Sequence, residues 1–369
     1  MNDKSELDKI DDEIARLFRR RTEVADEIYA GGRGDPAAER ATLTHVAEVV
    51  GPDLERGAAT LFSTIFGLAA ARRRSLAKGD SPVVESICRA VAQAKPFPTR
   101  TMVACAGMEG SYAQQAASLM FRVPTILFFS GFEAVFEAVE KGMCPYGILP
   151  IENSAAGSVA QVYDLMVRHR FHIVRSVRVK IDHALLGRHG AKAADIRKVS
   201  SHPHALAQCS AFLKSHPEMR VVPCENTAAA ARDVAEHGDM SCAAIASRAC
   251  ADLYGLDVLA DKVSDTTFNY TRFICISRDL EIAPDADKFS VMLSLPHRPG
   301  SLSATISKFA AAGVNLTKLE SRPIPGMDFE FRFTFEFDAS PANPAVLGLL
   351  SELSQDPEIE GFTFLGAYS

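Results

Sequence analysis

The stretch Asn269 to Ser277, NYTRFICIS, sets an amide, a phenol, a hydroxyl and a guanidinium in front of an apolar run that reads as a buried strand. A single Asn or Thr is enough to cap such a junction, so four polar side chains there suggest that something polar is held. Three other stretches concentrate similar groups. GMEGSY, 107–112, opens a helical segment with Ser111 near its cap. IENSAAGS, 151–158, opens another with Glu152, Asn153 and Ser154, and SSHPHALAQ, 200–208, supplies a third turn with Ser201, His202 and Gln208.

Free N–H groups at helix starts, helped by short hydroxyls, bind carboxylates and phosphates. Each stretch also has a plainer reading, because Ser, Thr and Asn cap helices everywhere. Three of them at the carboxyl edge of an open α/β sheet favour a ligand site. No GxGxxG opens a βαβ unit and no GxxxxGK[ST] occurs, so nucleotide binding fits poorly, and a small anion handled without a cofactor fits better. The ten histidines include no HExxH or similar spacing and the eight cysteines no CxxC pair, which argues against a metal. The cysteines read as small core hydrophobes in a reducing compartment.

The elements that would position these groups differ along the chain. Residues 5–78 contain no convincing strand: Leu7, Ile10, Ile14, Leu17, Val24 and Ile28 recur at three- and four-residue steps until Gly31 and Gly32, and two more helical stretches follow over 37–50 and 52–78. Three helices, one long and unpaired, bury little alone, so a dimer is expected. From about Thr99 short apolar runs alternate with helical stretches, the βα pattern of a mainly parallel sheet covered on both faces. After the polar linker RDLEIAPDADK the order becomes βαββαβ, a ferredoxin-like unit.

With 369 residues, 47% hydrophobic and 23% charged, the chain has the composition of a globular protein of two or three domains. A formal net charge of -6 gives no electrostatic case for nucleic acid. No apolar stretch reaches the length of a membrane span and the charged N-terminus lacks a signal core, so a cytoplasmic location is expected.

PIENSAAGSV, SSHPHALAQC, AAIASRACADLYGLDVLADKVSD and NYTRFICIS resemble the successive motifs of prephenate dehydratase, and SLPHRPGSL with NLTKLESRP resembles its C-terminal ACT regulatory domain. The N-terminal helices are similar to the chorismate mutases fused to it in the bifunctional P-proteins of phenylalanine biosynthesis. The resemblance implies three domains: a three-helix mutase-like segment over 1–95, a two-lobed α/β dehydratase domain of periplasmic-binding-protein type over 99–278, and a ferredoxin-like ACT domain over 286–369. It implies loss of carbon dioxide and the ring hydroxyl from prephenate to give phenylpyruvate, without a cofactor. Arogenate dehydratase, the same chemistry on an amino acid, is the enzymatic alternative; a non-catalytic amino-acid-binding regulator is the other, and the TRF triplet counts against it.

Carried over residue by residue, the resemblance makes Thr271 the catalytic donor, with Ser201, Asn153 and Gln208 beside it and Ser111, Glu152, Ser154, His202, Arg272 and Phe273 binding substrate. Arg272 has two readings: a grip on a substrate carboxylate, or a brace for a neighbouring loop on the other face of the strand. GMEGSYA departs from the family pattern, with Met108 in place of a proline and Ala113 in place of a serine, and His204 stands where Gln is common. The resemblance also places an allosteric phenylalanine at Pro299, Gly300, Ser301 and Leu302 together with Asn315, Leu316, Glu320, Ser321, Arg322 and Pro323, in a homodimer or homotetramer.

Chorismate mutase chemistry is pericyclic and needs cations that grip two carboxylates and an ether oxygen. Arg21, Arg33, Asp35, Glu39 and Arg73 are the candidates here, but Lys4 and Ala38 stand where arginines are expected, and Ala69 and Arg73 where a serine and a glutamine are. These losses imply a weak or lost mutase site and a surviving dimerisation segment, with Arg33, Arg40, Arg72 or Arg73 as replacement cations.

Overall fold

The computed structural model describes residues 4–29, 35–76, 81–324, 326 and 330–369. The chain divides into two compact units, Met1–Cys88 with Val291–Phe362, and Arg89–Ser290 with Thr363–Ser369.

In the first unit the apolar spacing produces α1 (Lys4–Ile28), α2 (Pro36–Val50) and α3 (Glu55–Leu76), with α1 and α2 both packed on α3. Asp35 starts α2 by accepting hydrogen bonds from the N–H groups of Ala37 (2.8 Å) and Ala38 (3.2 Å), and Pro36 fills a position whose N–H has no helical partner anyway. A helix not anticipated from the sequence, α4 (Pro82–Ala92), follows, with Ile87 fully buried.

The second unit contains two lobes, each built on its own sheet. The first lobe carries β1 (Arg100–Ala106), α5 (Tyr112–Met120), β2 (Val123–Phe129), α6 (Phe132–Glu140), β3 (Tyr146–Asn153), β4 (Gly157–Ser158), α7 (Ala160–His169) and β5 (His172–Lys180). The second carries β6 (His183–Arg188), β7 (Lys198–Ser201), α8 (Pro203–Ala207), α9 (Ser210–Lys214), β8 (Arg220–Pro223), α10 (Thr227–His237), β9 (Cys242–Ser247), α11 (Ala249–Tyr254) and β10 (Leu256–Ala260). The chain then returns to the first lobe as β11 (Tyr270–Ser277).

The strand orders are β2-β1-β3-β11-β5, with β4 on β3, and β10-β6-β9-β7-β8. In the first sheet β1 runs parallel to β2 and β3, while β11 is antiparallel to β3 and β5. In the second β7 is parallel to β8 and β9, while β6 is antiparallel to β9 and β10. The expected mainly parallel sheet is therefore corrected to two mixed ones. The physical reason is the route of the chain: it leaves the first lobe after β5 and re-enters at β11 from the second, so the returning strand runs against its neighbours.

Side-chain alternation puts Phe273 and Cys275 of β11 into a core with Val103, Cys105, Ile148 and the inner face of α5. Both faces of the second sheet are covered, one by Ala228, Ala231, Val234 and Cys250, the other by Ala205, Cys209 and Met219.

The C-terminal elements are β12 (Lys288–Ser294), α12 (Ser301–Ala311), β13 (Asn315–Pro323), β14 (Phe331–Asp338), α13 (Pro344–Gln355) and β15 (Glu360–Tyr368), in the strand order β13-β14-β12-β15. This is the βαββαβ order read from the sequence. Phe309 of α12 stacks on Phe335 of β14 with ring centroids 4.9 Å apart.

Candidate active site

Thr271 and Asn153 meet because β11 and β3 pair them directly across the ladder. Asn153 Nδ2 donates to Thr271 Oγ1 at 2.9 Å and to Asn269 Oδ1 at 2.8 Å. Asn153 Oδ1 accepts from the N–H groups of Ala155 (3.0 Å) and Ala156 (2.9 Å) in the turn after β3. Asn269 is completely buried, and its Nδ2 donates to Gln208 Oε1 at 3.0 Å. The same oxygen lies 3.2 Å from Nε2 of His183, whose Nδ1 lies 3.2 Å from the hydroxyl of Tyr112; that hydroxyl donates to the Asp182 carbonyl at 2.8 Å. A continuous polar chain thus runs from Thr271 in the first lobe to His183 in the second.

The segments joining the lobes are tied down next to it. Ile181 N donates to the Asn269 carbonyl at 2.8 Å and Val263 N to the His183 carbonyl at 3.0 Å. Asp265 accepts from the N–H groups of Ser210 and Ala211, both at 2.9 Å, fixing the returning segment to the start of α9. The Gly107–Tyr112 turn reaches the other lobe as well, where the Tyr254 hydroxyl donates to the Glu109 carbonyl at 2.7 Å and Ser247 Oγ to the Gly110 carbonyl at 3.3 Å.

Of the residues predicted from the sequence, Thr271, Asn153 and Gln208 come together in this chain. The others have different surroundings. Arg272 Nη2 donates to Glu152 Oε2 at 3.1 Å. Arg272 points to the strand face opposite Thr271. Phe273 is 4% exposed in the core beneath α5, because a side chain two positions after Thr271 on the same face lies deeper under the helix.

Ser201 is fully buried and its hydroxyl donates to the Ile245 carbonyl at 2.5 Å, so it serves the β7–β9 edge of the second sheet. Ser111 caps α5 by accepting from Gln114 N at 3.4 Å. Ser154 donates to the Phe268 carbonyl (3.2 Å) and accepts from Tyr270 N (3.0 Å), holding the approach to β11. His202 caps α8 through Nδ1, which accepts from His204 N at 3.2 Å. Tyr112, His183 and Asn269 were not singled out as site residues. Tyr112 and Asn269 sat inside the quoted motifs; His183 carried no sequence signal, being one histidine in an apolar run.

Burial depresses the pKa of His183, against opposing contributions from Gln208 and Asp182, and burial likewise depresses that of His172. Burial pushes the Tyr112 phenol far above its ordinary value, so it stays protonated. Histidines depressed in the folded chain bind protons first when unfolded, so their contribution to stability is complete above about pH 6.5 and declines as pH falls toward the folded values. Urea denaturation is expected to give a lower midpoint at pH 5.5 than at pH 7.5; a midpoint that rises on acidification contradicts this.

Elsewhere, Arg21, Tyr29, Ala38, Glu39, Thr42, Phe66 and Ala69 line a small cavity among α1, α2 and α3. The Arg21 guanidinium lies over the Phe66 ring, 4.9 Å from its centroid. Asp35 is the cap of α2, its carboxylate accepting from two backbone N–H groups. Arg33 and the side chain of Arg73 lie outside the described residues. Arg72 pairs with Asp26 at 2.8 Å.

Pro299 precedes Gly300, which caps α12 at φ 88°, where a side chain would be strained, and Ser301 and Leu302 form the first turn. Asn315, Leu316, Glu320, Ser321, Arg322 and Pro323 lie along β13, an edge strand. Among the described residues no group of three or more His, Cys, Asp or Glu is placed to hold a metal ion, and no helix is long and apolar enough to cross a membrane.

A family model for prephenate dehydratase matches residues 103–281. Arogenate dehydratase/prephenate dehydratase 1, chloroplastic, from Arabidopsis thaliana is 36% identical over 274 residues, spanning 70% of this chain and 69% of that protein. The crystal structure of prephenate dehydratase in complex with L-Phe from Arthrobacter aurescens is 31% identical, with a TM-score of 0.66 over 73% of this chain and 89% of the other. A solved structure described as GqqA, a novel type of quorum quenching acylase, is 30% identical, with a TM-score of 0.64 over 72% of this chain and 97% of its own. The matched span contains the whole polar chain from Tyr112 to Thr271, and at this identity and coverage the chain belongs to the prephenate dehydratase family.

Proposed function

We propose that this protein converts prephenate to phenylpyruvate in the biosynthesis of L-phenylalanine, with Thr271 as the hydrogen-bond donor to the departing ring hydroxyl. The bond from the ring to its carboxylate carbon breaks and its electron pair enters the ring. The carbon–oxygen bond opposite breaks, releasing carbon dioxide and hydroxide as the ring becomes aromatic. Aromatisation drives the reaction, so the protein has to orient the dianion and stabilise charge on the leaving oxygen.

One observation supports this role above the rest. Asn153 Nδ2 donates to Thr271 Oγ1, which fills an acceptor position on the threonine oxygen and leaves its own proton to be given away. A threonine hydroxyl is a poor acid in water, and a fixed donor at 8% exposure acts as an oxyanion-type group instead. Arogenate is a second substrate reading, supported by relatives whose names carry both activities.

The three-domain division over 1–95, 99–278 and 286–369 belongs to the same proposal. We read the C-terminal βαββαβ elements as an ACT domain that binds phenylalanine and feeds back on the dehydratase as a dimer or tetramer, and the location as cytoplasmic. Phenylalanine acts by preferring one of two states of the protein. A relative crystallised with L-Phe supports the effector. The helical segment is read as a mutase-like dimerisation unit, because the described lining of its cavity offers one cation, Arg21, for a dianionic substrate.

Purified protein is expected to form phenylpyruvate from prephenate, to be inhibited by phenylalanine, and to leave chorismate unchanged. Absence of product from both prephenate and arogenate ends the dehydratase reading. Turnover of chorismate ends the reading of the helical unit.

A further inference from the structure

We infer that His183, in its neutral form protonated on Nε2, is a positioning residue for the dehydration: through Gln208 and Asn269 it braces the Asn153 amide whose nitrogen donates to Thr271. This rests on the reading of Thr271 as the donor. His183 is 2% exposed and belongs to the second lobe, whereas Thr271 belongs to the first.

The directions follow from one anchor. Backbone N–H groups only donate, so the Asn153 atom that receives Ala155 N and Ala156 N is the amide oxygen, and the nitrogen faces Asn269 and Thr271. An amide nitrogen only donates, so Asn269 must present its oxygen to Asn153 and its nitrogen to Gln208. Gln208 must then present its oxygen, which leaves a donor as the one fitting partner on the His183 side at 3.2 Å. Nε2 therefore carries the proton.

The opposite tautomer sets two lone pairs against each other at Gln208. Turning that amide moves the conflict to Asn269, and turning Asn269 moves it to Asn153, whose orientation the two backbone N–H groups hold. The reversed arrangement has no consistent solution, so a single pattern of donors and acceptors spans the lobes. Tyr112 braces the far end, where its one hydroxyl proton is shared between the Asp182 carbonyl at 2.8 Å and the Nδ1 lone pair at 3.2 Å. The Asn153 amide that faces Thr271 is thus held by its own turn in the first lobe and braced from the second, which ties the position of Thr271 in one lobe to contact with the other.

Nitrogen NMR of the full chain with labelled histidine is expected to show the Nε2–H tautomer for His183; an Nδ1–H signal overturns the inference. His183→Leu is expected to lower kcat for prephenate about tenfold with KM little changed, the size of one lost buried hydrogen bond. His183→Gln offers an amide N–H near the place of Nε2–H and is expected to recover most of that loss. In a Thr271→Val background His183→Leu is expected to add nothing, since no donor remains to be positioned. Thr271→Val with full activity defeats the donor reading itself. An impaired Thr271→Val beside a fully active His183→Leu, or an equal further loss in both backgrounds, overturns the relay alone. If His183→Leu does not fold, the tautomer signal still decides, and a folded His183→Gln variant that loses as much kcat as is expected of the leucine variant overturns the inference.

Discussion

Replacement of Thr271 by valine is expected to lower kcat for prephenate by about 10²- to 10⁴-fold while leaving KM little changed, the range seen when one positioned donor or acid is removed. Valine has nearly the shape of threonine and the same branching at Cβ, so β11 keeps its pairing with β3 and β5 and only the hydroxyl is lost. The Asn153 N–H that pointed at Oγ1 then faces a methyl group, at a cost of about 1 kcal/mol of stability, because Asn153 is only half-buried and the Tyr270 carbonyl lies 3.4 Å from the same nitrogen. Because the lost interaction forms with charge that appears on the leaving oxygen, its effect falls on the transition state and spares substrate binding. Thr271→Ser keeps the hydroxyl and is expected to retain most of the activity. Steady-state kinetics on prephenate check both variants, and wild-type kcat in the valine protein removes Thr271 from the mechanism.

The second large effect is structural. Gly366→Ala is expected to destabilise the protein by about 3 kcal/mol or more, because it combines backbone strain with overpacking against main chain. Gly366 lies on β15 at φ 152°, in the region side chains avoid, and a Cβ there would penetrate the Ile173 carbonyl oxygen of β5. Backbone cannot turn aside as a side-chain tip can. Ser176 N donates to the Ser369 carbonyl at 2.8 Å close by, and β5 is the strand on which β11 lies, so the strain falls on the sheet that carries Thr271. Thermal and urea unfolding check it. An alanine variant with the wild-type midpoint shows that β5 and β15 separate freely at this point.

Local features were legible from residue types alone. The spacing of Leu7, Ile10, Ile14 and Leu17 marks α1, and the βαββαβ order of residues 288–368 follows from their alternating apolar runs. Asn153, Gln208 and Thr271 stood out because short polar groups at strand ends and helix starts are unusual in concentration. The same rule also selected Ser111, Ser154, Ser201 and His202, and the structure gives these to caps, turns and a sheet edge. Residue type cannot separate a hydroxyl that satisfies its own backbone from one that is free to donate. The route of the chain between lobes was hidden too, because arginines interrupt the apolar pattern of β5 and β6 is a short buried run.

The sequence by itself determined the family, the helical and βα segments, and the presence of a polar threonine-bearing mouth on NYTRFICIS, since those depend on neighbours within a few residues. Only the tertiary structure decided what that mouth is connected to. Tyr112, Asn153, His183, Gln208 and Asn269 are scattered through the chain and meet because β11 returns from the second lobe to lie between β3 and β5. It likewise placed Arg272 beside Glu152, because side chains alternate along a strand and Thr271 occupies the other face.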